Sequence, residues 1–305
     1  MSDRYVERYR RMRAALTRSQ PVVDLPLLLG FELAASEIGG LQHVVCDYLW
    51  HSAFESGVNL EPPTGPEWFA KHAATLRKLP NVTPNGVVMP KSETTAAYNL
   101  LHHMVVSIVY KDINPTEVAA IFAPINVRIV DGQPNARVDA RPRSSTKVHS
   151  DVWAAEPSRS LTLFLTVMGD TEKTTVDFLE PTEFPAEFQR PMADYLEGAA
   201  LANGAKKYPA CFRNSHLLAM DAFCLHQTIK SGGGYRISLD FRLLYRRRLE
   251  SDAYFDTPRL QNYLQPPLWA GLGQSHMLIA RKSIKEFVPD VTLDAFASRF
   301  DVTGL

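Results

Sequence analysis

From Tyr235 to Tyr245 the chain alternates without a break. Arg236, Ser238, Asp240 and Arg242 fall on one face of an extended segment, and Ile237, Leu239, Phe241 and Leu243 on the other. Period two marks a strand with one face on an apolar core. Four polar side chains on the opposite face would be costly against a second dry layer, because buried charges and hydroxyls need partners. They fit a face that looks into a cavity. The first constraint is therefore a β-rich core with a polar pocket on one side of this strand.

Other segments agree with a sheet core. Ile125–Val130 alternates and ends in the turn signal Asp131-Gly132, with Asn126, Arg128 and Val130 on one side. Ser145–Trp153, Ser160–Val167, Thr175–Leu179, Cys211–Met220 and Ala222–His226 also read as extended, and Gly232-Gly233-Gly234 as the turn before the Arg236 strand. That triple glycine lacks the Lys-Ser/Thr ending of a phosphate loop.

The front of the chain leans helical. Asp3–Leu16 has roughly helical spacing, and Leu27–Trp50 is largely apolar but interrupted by Gly30, Gly39 and Gly40, which predict at least two pieces. A short helix is expected near Trp68–Leu79, and Ser92–Tyr110 gives the clearest one. A further helix is predicted over Pro185–Ala202, where Phe188, Met192, Tyr195, Leu196 and Ala199 recur at helical intervals. The expectation is one elaborated domain over 1–305: a helical support region (1–114), a β core (115–249) and an irregular C-terminal cover (250–305). A boundary near residue 114 is the alternative.

Composition narrows the function classes. The 305 residues carry 33 basic and 33 acidic side chains, so no overall field draws nucleic acid or an anionic membrane. No apolar run approaches a membrane span, and Met1–Tyr5 lacks a secretory leader's apolar stretch. Cys46, Cys211 and Cys224 have neither the number nor the spacing of a disulfide framework. A cytoplasmic protein acting on a small molecule is expected, with no nucleic-acid or membrane partner. The sequence leaves its oligomeric state open.

Chemistry then has to come from a local cluster. His149 and Asp151 are two apart in a segment read as extended, which places both on one face; His226 closes another such segment. Two imidazoles and a carboxylate on one side of a metal form the facial set of non-haem iron oxygenases, with positions left for oxygen and an oxidisable ligand. A lone His-x-Asp occurs by chance in many proteins, and nine histidines offer many false third partners. Support comes from Arg236 and Ser238, which follow His226 as His-x9-Arg-x-Ser and can grip a carboxylate.

The whole pattern, His149-x-Asp151…His226-x9-Arg236-x-Ser238, resembles the iron(II)/2-oxoglutarate-dependent dioxygenase superfamily over about residues 125–244. Asp221, five residues before His226, resembles the acidic turn ahead of that family's distal ligand. The resemblance implies a double-stranded β-helix, the jelly-roll or cupin-like barrel, buttressed by the N-terminal helices. It also implies iron(II) held by His149, Asp151 and His226. Arg236 and Ser238, with Arg128 as the reserve, would bind 2-oxoglutarate. O2 would be the second cosubstrate, and hydroxylation of an unactivated C–H bond the outcome, with succinate and CO2 released. Asp151 favours that outcome over halogenation, since related halogenases lack this carboxylate.

Substrate candidates follow from position. Arg143 and Lys147, with Arg141, approach the metal pair from a Pro- and Ser-containing loop; Trp153 follows Asp151 by two; Arg242 shares the Arg236 face. An amino acid or natural-product intermediate fits such a rim. Two other readings stand beside this one: a cupin-type metal dioxygenase that needs no 2-oxoglutarate, and a non-catalytic jelly-roll binding protein.

Overall fold

A computed structural model of the chain describes residues 3–209, 211–250, 252, 258–286 and 300–305. Four helices of more than one turn occupy the front: α1 (Asp3–Ala15), α2 (Ala35–Glu55), α3 (Pro66–Leu76) and α4 (Thr95–Val109). The strands are β1 (Val23–Leu25), β2 (Leu28–Glu32), β3 (Val87–Val88), β4 (Val118–Phe122), β5 (Asn126–Asp131), β6 (Ser160–Gly169) and β7 (Thr174–Glu180). They continue as β8 (Lys206–Lys207), β9 (His216–Asp221), β10 (Leu225–Lys230), β11 (Tyr235–Tyr245), β12 (Tyr263–Leu264), β13 (His276–Ala280) and β14 (Phe300–Gly304). The protein is mainly β with helical additions. Among the described residues no helix is long and apolar enough to cross a membrane.

Every strand pairing between these elements is antiparallel. The large sheet has nine strands in the order β1-β2-β9-β6-β11-β4-β12, with β5 on β11 and β3 on β5. A smaller sheet runs β10-β7-β8, and β13 and β14 form a third. The alternation in β11 is used as its residue types demand. Ile237, Leu239, Phe241 and Leu243 are fully buried in the apolar core beside Leu161, Leu163, Leu165 and Val167 of β6. That core also takes in the inner faces of α2, α3 and α4, so the helices cover the sheet's dry side. A second apolar cluster gathers Trp153, Phe178, Phe184, Phe188 and Phe223.

Four segments differ from their sequence pattern. Leu27–Trp50 falls into two pieces as expected, but the first is the strand β2 and not a helix, and Gly39 and Gly40 do not interrupt α2, which runs unbroken through both. Each glycine costs a helix roughly 1 kcal/mol, but Leu41, Val44, Val45, Tyr48 and Leu49 bury that helix's inner face, and packing outweighs propensity. Pro185–Ala202 is not one helix but two 3-10 turns, Ala186–Gln189 and Tyr195–Gly198, followed by the single turn Ala199–Ala202. Pro191 disfavours helical backbone in the residue before it, and Arg190 is accordingly extended. Ser145–Trp153 contains one bridge, at His149, before Asp151 opens a 3-10 turn, Asp151–Ala154. In the tail, β12, the helix Pro266–Gly271 and β13 are regular where an irregular cover is expected.

Candidate metal centre

The polar face of β11 opens onto a cavity of about 620 Å³, within the range of small-molecule sites. Arg236, Ser238, Asp240 and Arg242 all line it, and His149, Asp151 and His226 share the same cavity. β11 lies between β5 and β6, with Ser238 opposite Arg128 on one side and Thr166 on the other.

His149 and His226 are tied through their backbones. The His149 amide donates to the His226 carbonyl at 3.0 Å, and the His226 amide returns a bond to the His149 carbonyl at 2.8 Å. Their rings stand with centroids 4.2 Å apart. Nδ1 of His149 is 2.8 Å from the Lys147 carbonyl, and Nδ1 of His226 is 3.3 Å from the Cys224 carbonyl. A carbonyl oxygen can only accept, so both Nδ1 atoms carry the proton and both Nε2 lone pairs are free. His226 Nε2 is 4.0 Å from Asp151 Oδ1. The shared face expected from period two is thus reached another way: a 3-10 turn brings Asp151 round, and a cross-strand bridge brings His226 in.

The charge state suits a cation. Burial pulls both imidazoles below the ordinary histidine value; His226 adds to the effect on His149, while Asp151 opposes it on His226. Burial raises Asp151, but Arg242, His226 and the Thr162 hydroxyl outweigh it and hold the carboxylate below its usual range. Two neutral imidazoles and one ionised carboxylate are the donor state a divalent metal requires. Among the described residues no three such side chains stand gathered as a finished metal site. The fit therefore rests on the donor chemistry of three neighbours.

Residues that sequence reasoning passed over complete this wall. The Thr162 hydroxyl donates to Asp151 Oδ2 in a close contact. Tyr195 lies flat on the His149 ring, 4.3 Å between centroids and 4° between planes. Thr162 carried a signal: it alternates with the core leucines of β6, as the polar residues of β11 do with theirs. Tyr195 carried none, because its helical spacing pointed to a different element.

Arg236 is 2% exposed. It donates from Nη1 to the Thr174 carbonyl at 2.7 Å and lies over the Phe212 ring, yet its buried Nε has no partner. Among the described residues no carboxylate lies within 4.0 Å of it. Burial lowers its pKa, with Arg128 adding to the effect and Asp240 opposing it; a guanidinium nevertheless stays charged in proteins. Arg128 differs, since Asp240 already takes it at 3.0 and 3.2 Å. Arg242 is surrounded by Glu156, Asp151 and Asp240 at 3.5, 3.6 and 3.9 Å, which commits its charge within the protein.

The remaining candidates separate. Arg141 and Arg143 line the cavity. Lys147 does not; its ammonium is bound to Asp194 at 2.9 Å. Trp153 is fully buried in the second apolar cluster, donates its indole N–H to Phe188 and lies outside the cavity lining, because the 3-10 turn after Asp151 removes the period-two relation between them. Asp221 is an anchor for α1, 3.0 Å from Arg8.

No protein-family model matches the chain, and no curated protein sequence matches it. The solved structures to which it is similar include three described as follows. One is the non-haem alpha-ketoglutarate-dependent carbocyclase SnoK from nogalamycin biosynthesis (10% identity, 82% of this chain and 88% of that one, TM-score 0.40). A second is the non-haem alpha-ketoglutarate-dependent epimerase SnoN from the same biosynthesis (12%, 83% and 92%, 0.37). The third is EctD from S. alaskensis with bound Fe (14%, 83% and 80%, 0.37).

Proposed function

We propose that this chain is an iron(II)/2-oxoglutarate-dependent oxygenase of a small molecule, built as one domain on a double-stranded β-helix. His149, Asp151 and His226 would hold the metal. The observation that carries the reading is Arg236: a buried guanidinium without a carboxylate partner, in the same cavity as two imidazoles with free Nε2 atoms and an ionised Asp151. A cavity that presents a cation-binding set and an unneutralised cation together fits a ligand that is anionic at both ends. 2-Oxoglutarate is such a ligand, chelating through its keto acid and pairing through its distal carboxylate.

Bound iron(II) would supply oxygen activation coupled to decarboxylation of 2-oxoglutarate, giving succinate, CO2 and oxidation of a C–H bond. The chain's own part is orientation and exclusion. The Lys147 and Cys224 carbonyls fix the imidazole tautomers, Thr162 holds the Asp151 carboxylate, and Arg242 keeps it ionised. Arg236, with Ser238 beside it on the same face, would set the cosubstrate's direction by a charge-assisted pair. Phe164 and Tyr195, which line the cavity, reduce water around the reacting groups.

Anaerobic addition of iron(II) and 2-oxoglutarate should produce a weak visible charge-transfer band. His149→Ala and His226→Ala should abolish it, and Arg236→Ala should weaken 2-oxoglutarate binding at least tenfold while iron still binds. A band of unchanged intensity and affinity in both histidine variants would refute the ligand assignment. Iron-dependent oxygen consumption that proceeds fully without 2-oxoglutarate would instead favour a cupin-type dioxygenase.

A further inference from the structure

Five guanidinium groups line the cavity against two carboxylates, Asp151 and Asp240. Arg128 is neutralised by Asp240, and Arg242 lies among Asp151, Glu156 and Asp240. Arg236 is assigned to the cosubstrate. Arg141 and Arg143 remain, and neither has a carboxylate within 4.0 Å among the described residues. Acidic groups on the same segments are already taken: Asp139 by Lys230 at 2.8 Å and Asp194 by Lys147 at 2.9 Å.

Both arginines are held rigid while keeping a donor free. Arg141 donates from Nε to the Val138 carbonyl at 2.8 Å and from Nη2 to Asn85 Oδ1 at 2.6 Å. Arg143 donates from Nε and Nη2 to the Met192 carbonyl at 2.9 and 2.5 Å. Nη1 of each has no partner among the described residues. A guanidinium used only as a loop clamp would serve as well on the surface; these two lie on a cavity wall. Burial also lowers the Arg141 pKa, with Asp139 opposing and Arg77 adding, so loss of solvent outweighs the nearest negative charge.

The wall that carries them adjoins the metal set. The Tyr195 amide donates to the Pro142 carbonyl at 3.1 Å, between the two arginines, and the Tyr195 ring stacks on His149. Asn85 bridges Arg141 to Arg128, its side chain accepting from one and its carbonyl from the other. A dianionic cosubstrate and a divalent cation cancel each other, so loading them leaves the positive surplus at Arg141 and Arg143 in place.

We propose that Arg141 and Arg143 form a second oxyanion subsite, which holds a carboxylate or phosphate of the substrate and restricts this enzyme to anionic small molecules. The proposal rests on the iron and 2-oxoglutarate reading for its account of Arg236, and its test has two arms. In the first, inorganic sulfate is titrated calorimetrically at low ionic strength into the full chain, anaerobically saturated with iron(II) and 2-oxoglutarate. One site is expected, weakened at least tenfold in Arg141→Gln and in Arg143→Gln. No binding by the wild type, or equal binding by both variants, overturns the subsite.

In the second arm, succinate release is measured with small organic acids, each paired with its primary amide and, where one exists, its phosphate analogue. Oxyanions should stimulate release at least tenfold more than the amides. Equal stimulation by the amides overturns the proposal without any variant, so a Gln variant that fails to fold does not protect it. If 2-oxoglutarate does not bind, the functional reading falls separately. Sulfate titration of the unloaded chain, and its dependence on Arg141 and Arg143, still decides the subsite.

Discussion

At the scale of single residues, the site depends on groups that orient others. Thr162 shows how. Asp151 Oδ2 accepts from its hydroxyl, which leaves Oδ1 as the atom that stands 4.0 Å from His226 Nε2. Thr162→Val keeps the branched shape and removes the donor, so the carboxylate is free to rotate and to turn either oxygen inward. Loss of such a supporting bond typically costs about 10–100-fold in metal affinity. Anaerobic iron(II) titration should show a drop in that range with little change in the far-ultraviolet spectrum. Affinity equal to wild type would mean that Arg242 alone fixes Asp151. The proposed ligand trio, with Arg236 and Ser238, is legible in the sequence because these residues combine a chemical type with a spacing. Thr162 was half legible: alternation in Ser160–Val167 gives its face, but nothing local says that Asp151 lies across from it. Trp153 misled, because the period-two argument requires a strand and the chain turns at Asp151.

At the scale of elements, two glycines in helical pattern show why local rules succeed or fail. Gly39 and Gly40 suggested a break, yet α2 passes through both, since its apolar face is buried against the sheet and α4. A Cβ at Gly39 would meet nothing within 4 Å, whereas at Gly40 it would come 3.1 Å from the flexible end of Met104. Gly39→Ala should therefore stabilise the protein by about 0.5–1 kcal/mol by removing unfolded-state entropy, read as a raised thermal midpoint. A fall would mean that the helix is strained there. Gly198 predicts the opposite. It sits in the Tyr195–Gly198 turn, and a Cβ there would stand 2.4 Å from two atoms of the Trp153 ring. That ring is pinned by its indole bond to Phe188 and cannot yield. Gly198→Ala should cost about 1–3 kcal/mol as overpacking and, by displacing Tyr195, should also weaken the charge-transfer band. Destabilisation with an unchanged band would separate the turn from the proposed metal site. Alternation made β5 and β11 readable, β11 to the residue, while β2 and β4 were not read as strands. The 185–202 segment was not readable, because its apolar spacing answers to Trp153 and the second core, not to a helix axis.

At the scale of the molecule, the helical front, the β core and the tail are bound by a few buried polar groups that no local pattern reveals. Arg8 of α1 reaches both Asp221 at the end of β9 and Asp252 beyond β11, deep in the structure. His102 does the same from α4. Its Nε2 lies 3.0 Å from the Trp269 carbonyl, and the Trp269 indole N–H donates to the Phe122 carbonyl of β4 at 3.1 Å. The carbonyl partner fixes the proton on Nε2, and Nδ1 is buried without a partner. Burial is the chief reason its pKa falls to about 4, with the Trp269 carbonyl opposing and His103 adding slightly. In the unfolded chain the ring should titrate near 6.5. The folded state thus resists a proton that the unfolded state accepts, so the unfolded state binds more protons between those two values and stability rises with pH across that window. Neutral His102 supports the junction fully above about pH 6.5, and that support is lost as pH falls toward about 4, at most about 3 kcal/mol for the whole shift. The buried His149 and His226 add slopes of the same sign in the metal-free chain, so the total pH dependence does not isolate this junction. The difference between wild type and His102→Gln does, since Gln can keep the donor to Trp269 and does not titrate. Urea unfolding of both proteins at pH 7.5, 6, 5 and 4.5 should give curves that converge as the pH falls, with the wild type losing the larger share. Parallel curves over that range would mean that His102 takes up its proton equally in the folded and unfolded states, and that the junction of helices, tail and sheet does not depend on its neutral form.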